Sequence, residues 1–300
     1  MDILITGASG MLGRYVRHEF GQEKTTTLQR NDADVVCDLS QEVPCFAGRK
    51  FDLVVHTAGS CDESEALQLN LEGTRNLLAA LECNPPKEFV YVSSWEVYSR
   101  DSGQNVGEDH PTWASSKVGQ SKALAEKTVE DWCAGNGVLL TILRPARMFG
   151  KGIKGEMAQL FNDVVNARYI HVRANDAKLS LVCALDVAKA IKKIHSVGGI
   201  YNVTDGRDAR WIELADAMSD NCGQSKRQTF LPEKWAAAAW KCAPWIPAVR
   251  TSLNPETLAV RSKTLTLSDE KLRQALPGWN PFPTIEVIGR KCPDYPCEDR

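Results

Sequence analysis

The sequence lacks the features that mark membrane, exported and nucleic-acid-binding proteins. No apolar run approaches the roughly 18 residues that a membrane span needs, and residues 1–7 carry no basic stretch of the kind that begins a signal peptide. The net charge of −2 over 300 residues gives no electrostatic reason to expect nucleic acid or an anionic membrane as a partner. The sequence therefore predicts a cytoplasmic protein that binds neither.

The ten cysteines form no CxxC pair, which argues against a structural zinc site. They are scattered singly through predicted strands and helices, and no export signal accompanies them. We therefore expect reduced thiols rather than a disulfide framework, and no metal. Cys292 and Cys297 fall in a stretch over 291–300 that we interpret as a solvated tail.

Apolar, β-branched runs alternate with helical patterns from the first residues onward. The predicted strands cover 2–6, 25–29, 51–57, 88–93 and 138–143, and the predicted helices cover 11–20, 64–82 and 113–134. Strands of this kind, separated by helices, pair in parallel and are covered on both faces. The fold class predicted is α/β: a Rossmann-type, doubly wound parallel sheet.

After Gly150 the pattern changes to a mixture of helix, loop and short strands. We expect 1–150 plus 178–205 to form the Rossmann domain, and 151–177 plus 206–290 to form a smaller, mostly helical C-terminal lobe that binds the substrate. Residues 291–300 are left as the tail.

A glycine-rich turn follows the first predicted strand and opens the first helix: Thr6-Gly7-Ala8-Ser9-Gly10-Met11-Leu12-Gly13. Small residues here let the backbone approach a pyrophosphate, and the helix N-terminus presents free N–H groups to it. A tight turn without a ligand is the alternative, but the strand–turn–helix context favours a dinucleotide site. The predicted contacts in this turn are Gly7, Ser9, Gly10, Met11, Leu12 and Gly13.

The end of the second strand bears on the choice between NAD(H) and NADP(H). An acidic side chain there accepts hydrogen bonds from the ribose 2′-OH, whereas an arginine suits a 2′-phosphate. The strand ends Leu28-Gln29-Arg30-Asn31, with no carboxylate until Asp32, and Arg14 follows the last glycine. We therefore favour NADP(H) over NAD(H), with Arg30 and Arg14 as candidate phosphate partners, while Asp32 remains an alternative partner for a 2′-OH.

Seven further fragments occur in an order and spacing typical of one known family. They are Cys37-Asp38-Leu39, His56-Thr57-Ala58-Gly59, Asn70-Leu71-Glu72-Gly73-Thr74, Val92-Ser93-Ser94-Trp95-Glu96-Val97-Tyr98, Leu143-Arg144-Pro145-Ala146-Arg147-Met148-Phe149-Gly150, Asp186-Val187-Ala188 and Tyr201-Asn202-Val203. With them the chain resembles an extended short-chain dehydrogenase/reductase, of the NAD-dependent epimerase/dehydratase family that acts mainly on nucleotide sugars.

The resemblance implies an enzyme with a small-molecule substrate, possible homodimerisation through the helices over 64–82 and 113–134, and further cofactor contacts. The positions that match those contacts are Asp38, Leu39, Thr57, Ala58, Gly59, Asn70, Ser93, Lys117 and Pro145. It also implies a catalytic set of serine, tyrosine and lysine, for which Ser94 and Lys117 match the serine and the lysine.

The tyrosine of that set is missing. It should lie four residues before the lysine, where this chain has Trp113, and no tyrosine in the sequence has a lysine four residues on. A tyrosine beside a lysine can move a proton near neutral pH, whereas an indole N–H donates a hydrogen bond without exchanging its proton. The usual mechanism is therefore not available as written.

Three interpretations of Trp113 compete. The protein could bind NAD(P) without redox chemistry, as a sensor or scaffold; another group, for which Glu96 and Tyr98 are the candidates, could have taken over proton transfer; or Trp113 packs and the helix register differs slightly. Trp95 and Trp113 could also line one aromatic pocket. The sequence favours an enzyme of atypical or impaired activity, with the non-catalytic binding protein as the alternative.

Overall fold

The computed structural model describes residues 1–99, 101–172, 175–223, 229–232, 235, 239 and 254–290. The predicted tail over 291–300 lies outside them. The strands are β1 Ile3–Thr6, β2 Thr25–Gln29, β3 Val35–Val36, β4 Leu53–His56, β5 Glu88–Val92, β6 Gly103–Val106, β7 Leu139–Pro145, β8 Arg147–Phe149, β9 Ile170–Val172, β10 Lys178–Cys183, β11 Gly199–Val203, β12 Asp208–Arg210, β13 Thr229–Leu231 and β14 Leu265–Leu267. The helices are α1 Met11–Phe20, α2 Gly73–Leu81, α3 Lys117–Asn136, α4 Gly155–Val165, α5 Ala184–Ile194, α6 Trp211–Asn221, α7 Pro255–Arg261, α8 Glu270–Ala275 and α9 Thr284–Ile288.

Within the described residues, seven parallel strands form the main sheet in the order β11-β7-β5-β4-β1-β2-β3. Successive residues of β1 face opposite sides of the sheet. Ile3 and Ile5 pack into a core shared with α1 and α5, whereas Leu4 packs into a second core shared with α2 and α3. Both faces are thus covered, and the predicted Rossmann-type fold is confirmed.

This sheet brings the carboxyl ends of its strands to one edge, where ligands bind in open parallel α/β sheets. The strand order runs outward from β1 in both directions. The segments that follow β1, β2, β4, β5 and β7 therefore meet at that edge, and they carry most of the predicted site residues.

Two predicted helices begin later than expected. Where a helix is predicted over 64–82, the structure has a π-helical segment, Leu67–Glu72, followed directly by α2. The helix predicted over 113–134 begins at Lys117, because the Ser116 hydroxyl accepts a hydrogen bond from the Gly119 N–H at 3.0 Å and caps it there. The first prediction is wrong at its N-terminal end by three residues and the second by four.

A smaller sheet runs in the order β12-β10-β14-β6, with β8 paired to β10. Its strands come from several parts of the chain, since β6 lies in the N-terminal half. A third core is formed by α4, α6, β10 and Ile288 of α9. No helix in the described part of the chain is both long and apolar enough to cross a membrane.

Candidate functional site

The turn between β1 and α1 is built so closely that only glycine fits at its ends. Gly7 has a φ of +69°, and a Cβ there would lie 2.8 Å from the backbone of Ala58. A Cβ on Gly13 would lie 2.1 Å from the carbonyl oxygen of Gly7. The Gly10 N–H donates to that same oxygen at 2.9 Å. Gly10 and Met11, at the N-terminus of α1, line the cleft, so the close turn brings the start of the helix to a position where a phosphate can bind.

A cavity of about 570 Å³ extends from this turn across the ends of β2 and β4. Most of the predicted contacts on the adenosine side of a dinucleotide line it. They are Gly7, Ser9, Gly10, Arg30, Asp38, Leu39, Thr57, Ala58 and Gly59. The carboxylate of Asp38 accepts hydrogen bonds from the backbone N–H of Ser40 at 3.0 Å and from its hydroxyl at 2.7 Å, which fixes its orientation.

The two predicted phosphate partners lie in different places. Arg30 lines the cavity beside Asn31 and Asp32. Arg14 does not line it, because its guanidinium donates to the carbonyl oxygens of Ser9 and Gly10 at 3.3 and 3.4 Å. Arg14 thus binds the backbone of the glycine turn, and Arg30 is the arginine that lines the cavity and can contact a ligand there.

Buried polar side chains fix the loop that follows β4. The ring of His56 is hydrogen bonded to the Thr6 hydroxyl at 2.6 Å and to the Thr74 hydroxyl at 3.0 Å. Complete burial lowers the pKa of His56 to about 3, so the ring is neutral at working pH. Asn70 accepts the Ser60 N–H at 2.8 Å and donates to the Ser60 carbonyl at 3.0 Å. Asn70 therefore acts behind the cavity wall as a support of the loop.

A second cavity of about 270 Å³ continues from the first toward the ends of β5 and β7. Gly10, Thr57 and Gly59 line both cavities, and the further predicted residues that line the second one are Met11, Leu12, Gly13, Ser93, Ser94, Glu96 and Pro145. The Ser93 hydroxyl is buried and has no hydrogen-bond partner within the described structure. An unsatisfied buried hydroxyl is costly, and a ligand that reaches the end of β5 would supply the missing partner.

Ser94 and Glu96 are held at the mouth of this cavity by a short 3-10 helix, Trp95–Val97. The Ser94 hydroxyl accepts a hydrogen bond from the Glu96 N–H at 3.1 Å. The carboxylate of Glu96 accepts one from the Ser116 hydroxyl at 2.7 Å. A Cβ on Gly119 would lie 2.0 Å from the Glu96 carbonyl oxygen, so the first turn of α3 packs directly on this segment.

Lys122 lines the second cavity, and the sequence analysis missed it. Only 8% of the residue is exposed, and its Nζ donates to the Val92 carbonyl at 2.9 Å. Burial lowers its pKa to about 8, against the opposing influence of the Glu126 and Glu96 carboxylates. A Cβ on Gly59 would lie 2.9 Å from this Nζ, so the ammonium group reaches across to the loop after β4.

The structure does not place Lys117 or Trp113 in either cavity. Lys117 is exposed at the first position of α3, and Trp113 is 77% exposed in the segment before the helix. The two residues do not share a helical face, because the helix has not begun at position 113. Trp95 lines the second cavity, and Trp113 is not among its lining residues.

The residue four positions before Lys122 is Val118, which also lines the second cavity. No tyrosine is among the described residues that form its wall. Two signals in the sequence could have found this register: Ser116 as a helix cap, and the second lysine of α3 one turn further along.

Tyr98, the other candidate proton carrier, is buried away from the cleft. Its hydroxyl donates to Asn202 Oδ1 at 2.8 Å and accepts from Arg144 at 2.9 Å. Arg144 also donates to both carboxylate oxygens of Glu126, at 3.0 and 2.7 Å. Burial raises the pKa of Tyr98, despite the neighbouring guanidinium. Tyr98 thus belongs to a buried network that braces α3 against β7 and β11.

On the substrate side of the second cavity, the guanidinium of Arg147 lies over the ring of Trp95, 3.7 Å from its centroid. Its Nε donates to Glu156 of α4 at 3.1 Å. Lys154, just before α4, lines both cavities. This wall therefore carries several charged groups of both signs facing the cleft.

Together the two cavities suit an extended cofactor with a diphosphate at its centre. The glycine turn leaves room that a Cβ would fill, the α1 N-terminus faces that room, and the unsatisfied Ser93 hydroxyl lies at the far end. Among the described residues, no cluster of histidine, cysteine or carboxylate side chains could hold a metal ion.

Residues 3–204 match the model of the NAD dependent epimerase/dehydratase family. The chain belongs to that family. The resemblance inferred from the sequence is thereby confirmed. The family match also agrees with the prediction of an oxidoreductase-type enzyme of the extended short-chain dehydrogenase/reductase class. Members of the NAD dependent epimerase/dehydratase family bind NAD(P), which agrees with the paired cavities described above.

Two curated relatives cover most of the chain. An N-acetyl-alpha-D-glucosaminyl-diphospho-ditrans,octacis-undecaprenol 4-epimerase of Escherichia coli O157:H7 is 26% identical, over 77% of this chain and 75% of its own length. A GDP-6-deoxy-D-mannose reductase of Pseudomonas aeruginosa is 26% identical, over 73% of this chain and 79% of its own. The structure of a UDP-glucose 4-epimerase from Thermotoga maritima, with UDP-glucose, has a TM-score of 0.75 at 17% identity and covers 96% of both chains, which shows the shared fold.

Proposed function

We propose that this protein is an NAD(P)-dependent epimerase or reductase that acts on a nucleotide-linked or otherwise diphosphate-linked sugar. The observation that carries the proposal is the continuity of the two cavities, from the glycine turn to a far end lined by Ser94 and Lys122. Both curated relatives carry names of enzymes with such substrates, which supports the substrate class.

The roles proposed for the lysine and the serine follow from their positions. Lys122, rather than Lys117, holds the ribose next to the nicotinamide, since its Nζ lies inside the cavity and the side chain of Lys117 is exposed. Ser94 donates a hydrogen bond from its hydroxyl to the reacting oxygen, while the Glu96 N–H donates to that hydroxyl and fixes its orientation. The cofactor, when bound, supplies hydride transfer.

Proton transfer needs a different group from the family's tyrosine, because Val118 stands four residues before Lys122. We assign it to Glu96, whose carboxylate lines the cavity and is oriented by the Ser116 hydroxyl. A carboxylate can accept a proton from a substrate hydroxyl and return it, whereas the side chain of Val118 has no exchangeable proton. Tyr98 is not assigned this role, since its hydroxyl is enclosed by Arg144 and Asn202.

The cofactor preference proposed is NADP(H), through Arg30. Arg30 lines the cavity at the end of β2, where a guanidinium can bind a ribose 2′-phosphate. Asp32 lines the same cavity, so NAD(H) remains the alternative. We also propose a homodimer through α2 and α3, as in the family.

The second candidate is an NAD(P)-binding sensor or scaffold without turnover. The specific observation that favours it is Val118, because the ordinary catalytic set cannot be completed at that position. In this case Lys122 and Ser93 would remain as cofactor contacts, and the substrate side of the cleft would serve another purpose.

One series of experiments separates these candidates. NADPH and NADH are first titrated into the protein by calorimetry, and turnover is then measured with UDP-, GDP- and dTDP-linked sugars. The enzyme proposal predicts turnover that Glu96→Gln lowers by about 100-fold, while the control Glu130→Gln, on α3 outside both cavities, leaves it unchanged. Cofactor binding without turnover on any sugar would favour the sensor, and the absence of binding would contradict both candidates.

A further inference from the structure

Gln29, the last residue of β2, connects two turns of the cofactor cavity through one side-chain amide. Its Oε1 accepts the backbone N–H of Ser9 at 2.7 Å. Its Nε2 donates to the carbonyl oxygens of Asn31 and Asp32 at 2.8 and 3.0 Å. The glycine turn and the turn after β2 are thus joined by a side chain that belongs to neither.

The chemistry of these bonds requires a carboxamide. One end must accept from an N–H and the other must donate to two carbonyl oxygens, and among side chains only an amide of this length does both. A carboxylate would keep the bond from Ser9 but would face the carbonyl oxygens of Asn31 and Asp32 without a hydrogen to share. The turn also needs this support, since Asp32 has a φ of +49°, a conformation that L-residues rarely adopt.

The segment that Gln29 holds contains the residue expected to choose the cofactor. Arg30 lies between Gln29 and the bonded carbonyls, and it lines the same cavity as Ser9. The charged groups around that cavity are Arg30, Lys154, Asp32 and Asp38. Asp32 and Asp38 already line this cavity, and a neutral residue at position 29 adds no third carboxylate beside Arg30.

We propose that Gln29 is the positioning residue for cofactor specificity: by joining Ser9 to the Asn31–Asp32 turn, it holds Arg30 beside the place of the ribose 2′-phosphate. The inference rests on the proposed NADP(H) site and deepens it. The quantity that tests it is the ratio of the NADPH affinity to the NADH affinity. A purely structural role of Gln29 would change both affinities equally and leave that ratio unchanged.

Calorimetric titration with NADPH and NADH tests this on the full chain. We expect wild type to bind NADPH about tenfold more tightly than NADH, and Arg30→Gln to remove most of that difference through the NADPH affinity. Gln29→Glu should lower the NADPH affinity by about tenfold or more and the NADH affinity much less, since it adds a negative charge and releases the turn. Gln104→Glu, an exposed glutamine on β6, is the matched control for the added charge and should change neither affinity.

Gln29→Met serves as a neutral variant of similar length, in case the glutamate variant does not fold. It should bring the ratio of NADPH to NADH affinity close to one. Equal losses for both nucleotides in the Gln29 variants, or an unchanged ratio, would overturn the inference. Wild-type binding of both nucleotides without preference would overturn it while leaving the cofactor site intact, whereas binding of neither would overturn the proposed function as well.

Discussion

Lys122 and Val118 lie one helical turn apart on α3, and both side chains line the same cavity. In the family this spacing joins a lysine to a tyrosine, so the cleft keeps the amine and has an isopropyl group in place of the phenol. Burial lowers the pKa of Lys122 to about 8, and the Val92 carbonyl holds its Nζ. The amine that would assist a tyrosine is therefore in place without its partner.

Restoring the phenol should strengthen catalysis. Val118→Tyr would place a hydroxyl in the cavity beside Ser94 and Lys122, and the nearby ammonium group would lower the pKa of that phenol. The phenol would take over the proton transfer assigned to Glu96, so kcat should rise, and Glu96→Gln in this variant should cost much less than the factor of about 100 expected in wild type. The measurement is steady-state turnover with whichever sugar nucleotide wild type accepts.

The control for that prediction is Trp113→Tyr, which makes a Tyr-x-x-x-Lys sequence with Lys117 instead. Trp113 is 77% exposed and precedes the helix, so this change should leave turnover within about twofold of wild type. A rise with Trp113→Tyr and none with Val118→Tyr would contradict the register of α3.

Removing the amine of Lys122 should weaken cofactor binding. Lys122→Met keeps the length and the apolar stem but loses the charged donor, so we expect about a tenfold or greater loss in affinity for NADPH, measured by fluorescence titration. Lys117→Met is the matched control on the same helix and should bind normally. Equal affinities in the two variants would show that the lysine in the cavity does not contact the cofactor.

The glycine turn predicts a sharp difference between two glycine-to-alanine substitutions. In Gly13→Ala the new Cβ would meet the Gly7 carbonyl at 2.1 Å, so the turn must open and NADPH binding should be lost together with thermal stability. Gly135→Ala, in α3, meets nothing within 4 Å and should raise stability by about 0.5 to 1 kcal/mol. Thermal unfolding with and without NADPH measures both, and normal NADPH binding by Gly13→Ala would contradict the geometry of the turn.

His56 predicts a pH dependence of stability. Its pKa is about 3 in the folded protein, against an ordinary value of 6.5, so the unfolded chain binds the proton first as pH falls. The free energy of unfolding should therefore drop progressively from about pH 6.5 to pH 3, by about 1.4 kcal/mol for each unit of pH in the middle of that range. Chemical denaturation as a function of pH is the measurement.

In His56→Gln the free energy of unfolding should depend less steeply on pH over this range. The reason is that about one proton fewer is taken up when the chain unfolds. His18→Gln, an exposed histidine at the end of α1, is the control and should keep the wild-type slope. A wild-type slope in His56→Gln would mean that His56 titrates normally and that its burial does not exclude the proton.

The main sheet could be predicted from the sequence because most of its longer strands are apolar, β-branched runs between helical patterns. The bounds of β2 and α1 were predicted to the residue, and the glycine turn placed the cofactor cavity at the end of β1. The short strands of the smaller sheet could not be found in this way. Gly103–Val106 pairs with Leu265–Leu267 more than 150 residues later, and neither has enough length to show a pattern.

The site was predicted less completely, and the reason is the start of one helix. Lys117 and Lys122 both lie near the N-terminus of α3, and without a tyrosine the sequence offers no residue that selects between them. The Ser116 cap decides the question by placing Lys117 at the exposed first position and Lys122 on the buried face. Asn70 and Arg14 were recognised as parts of the site, but they act through the loops that they hold, which only the hydrogen bonds reveal.

A crystal structure of the protein with NADPH tests the central claim most directly. The account predicts the diphosphate on the backbone N–H groups at the start of α1, Arg30 at the 2′-phosphate, and Lys122 Nζ within about 3.2 Å of a hydroxyl of the nicotinamide ribose. Density that places the nicotinamide away from Lys122, or a diphosphate that does not contact the Gly7–Gly13 turn, would contradict it.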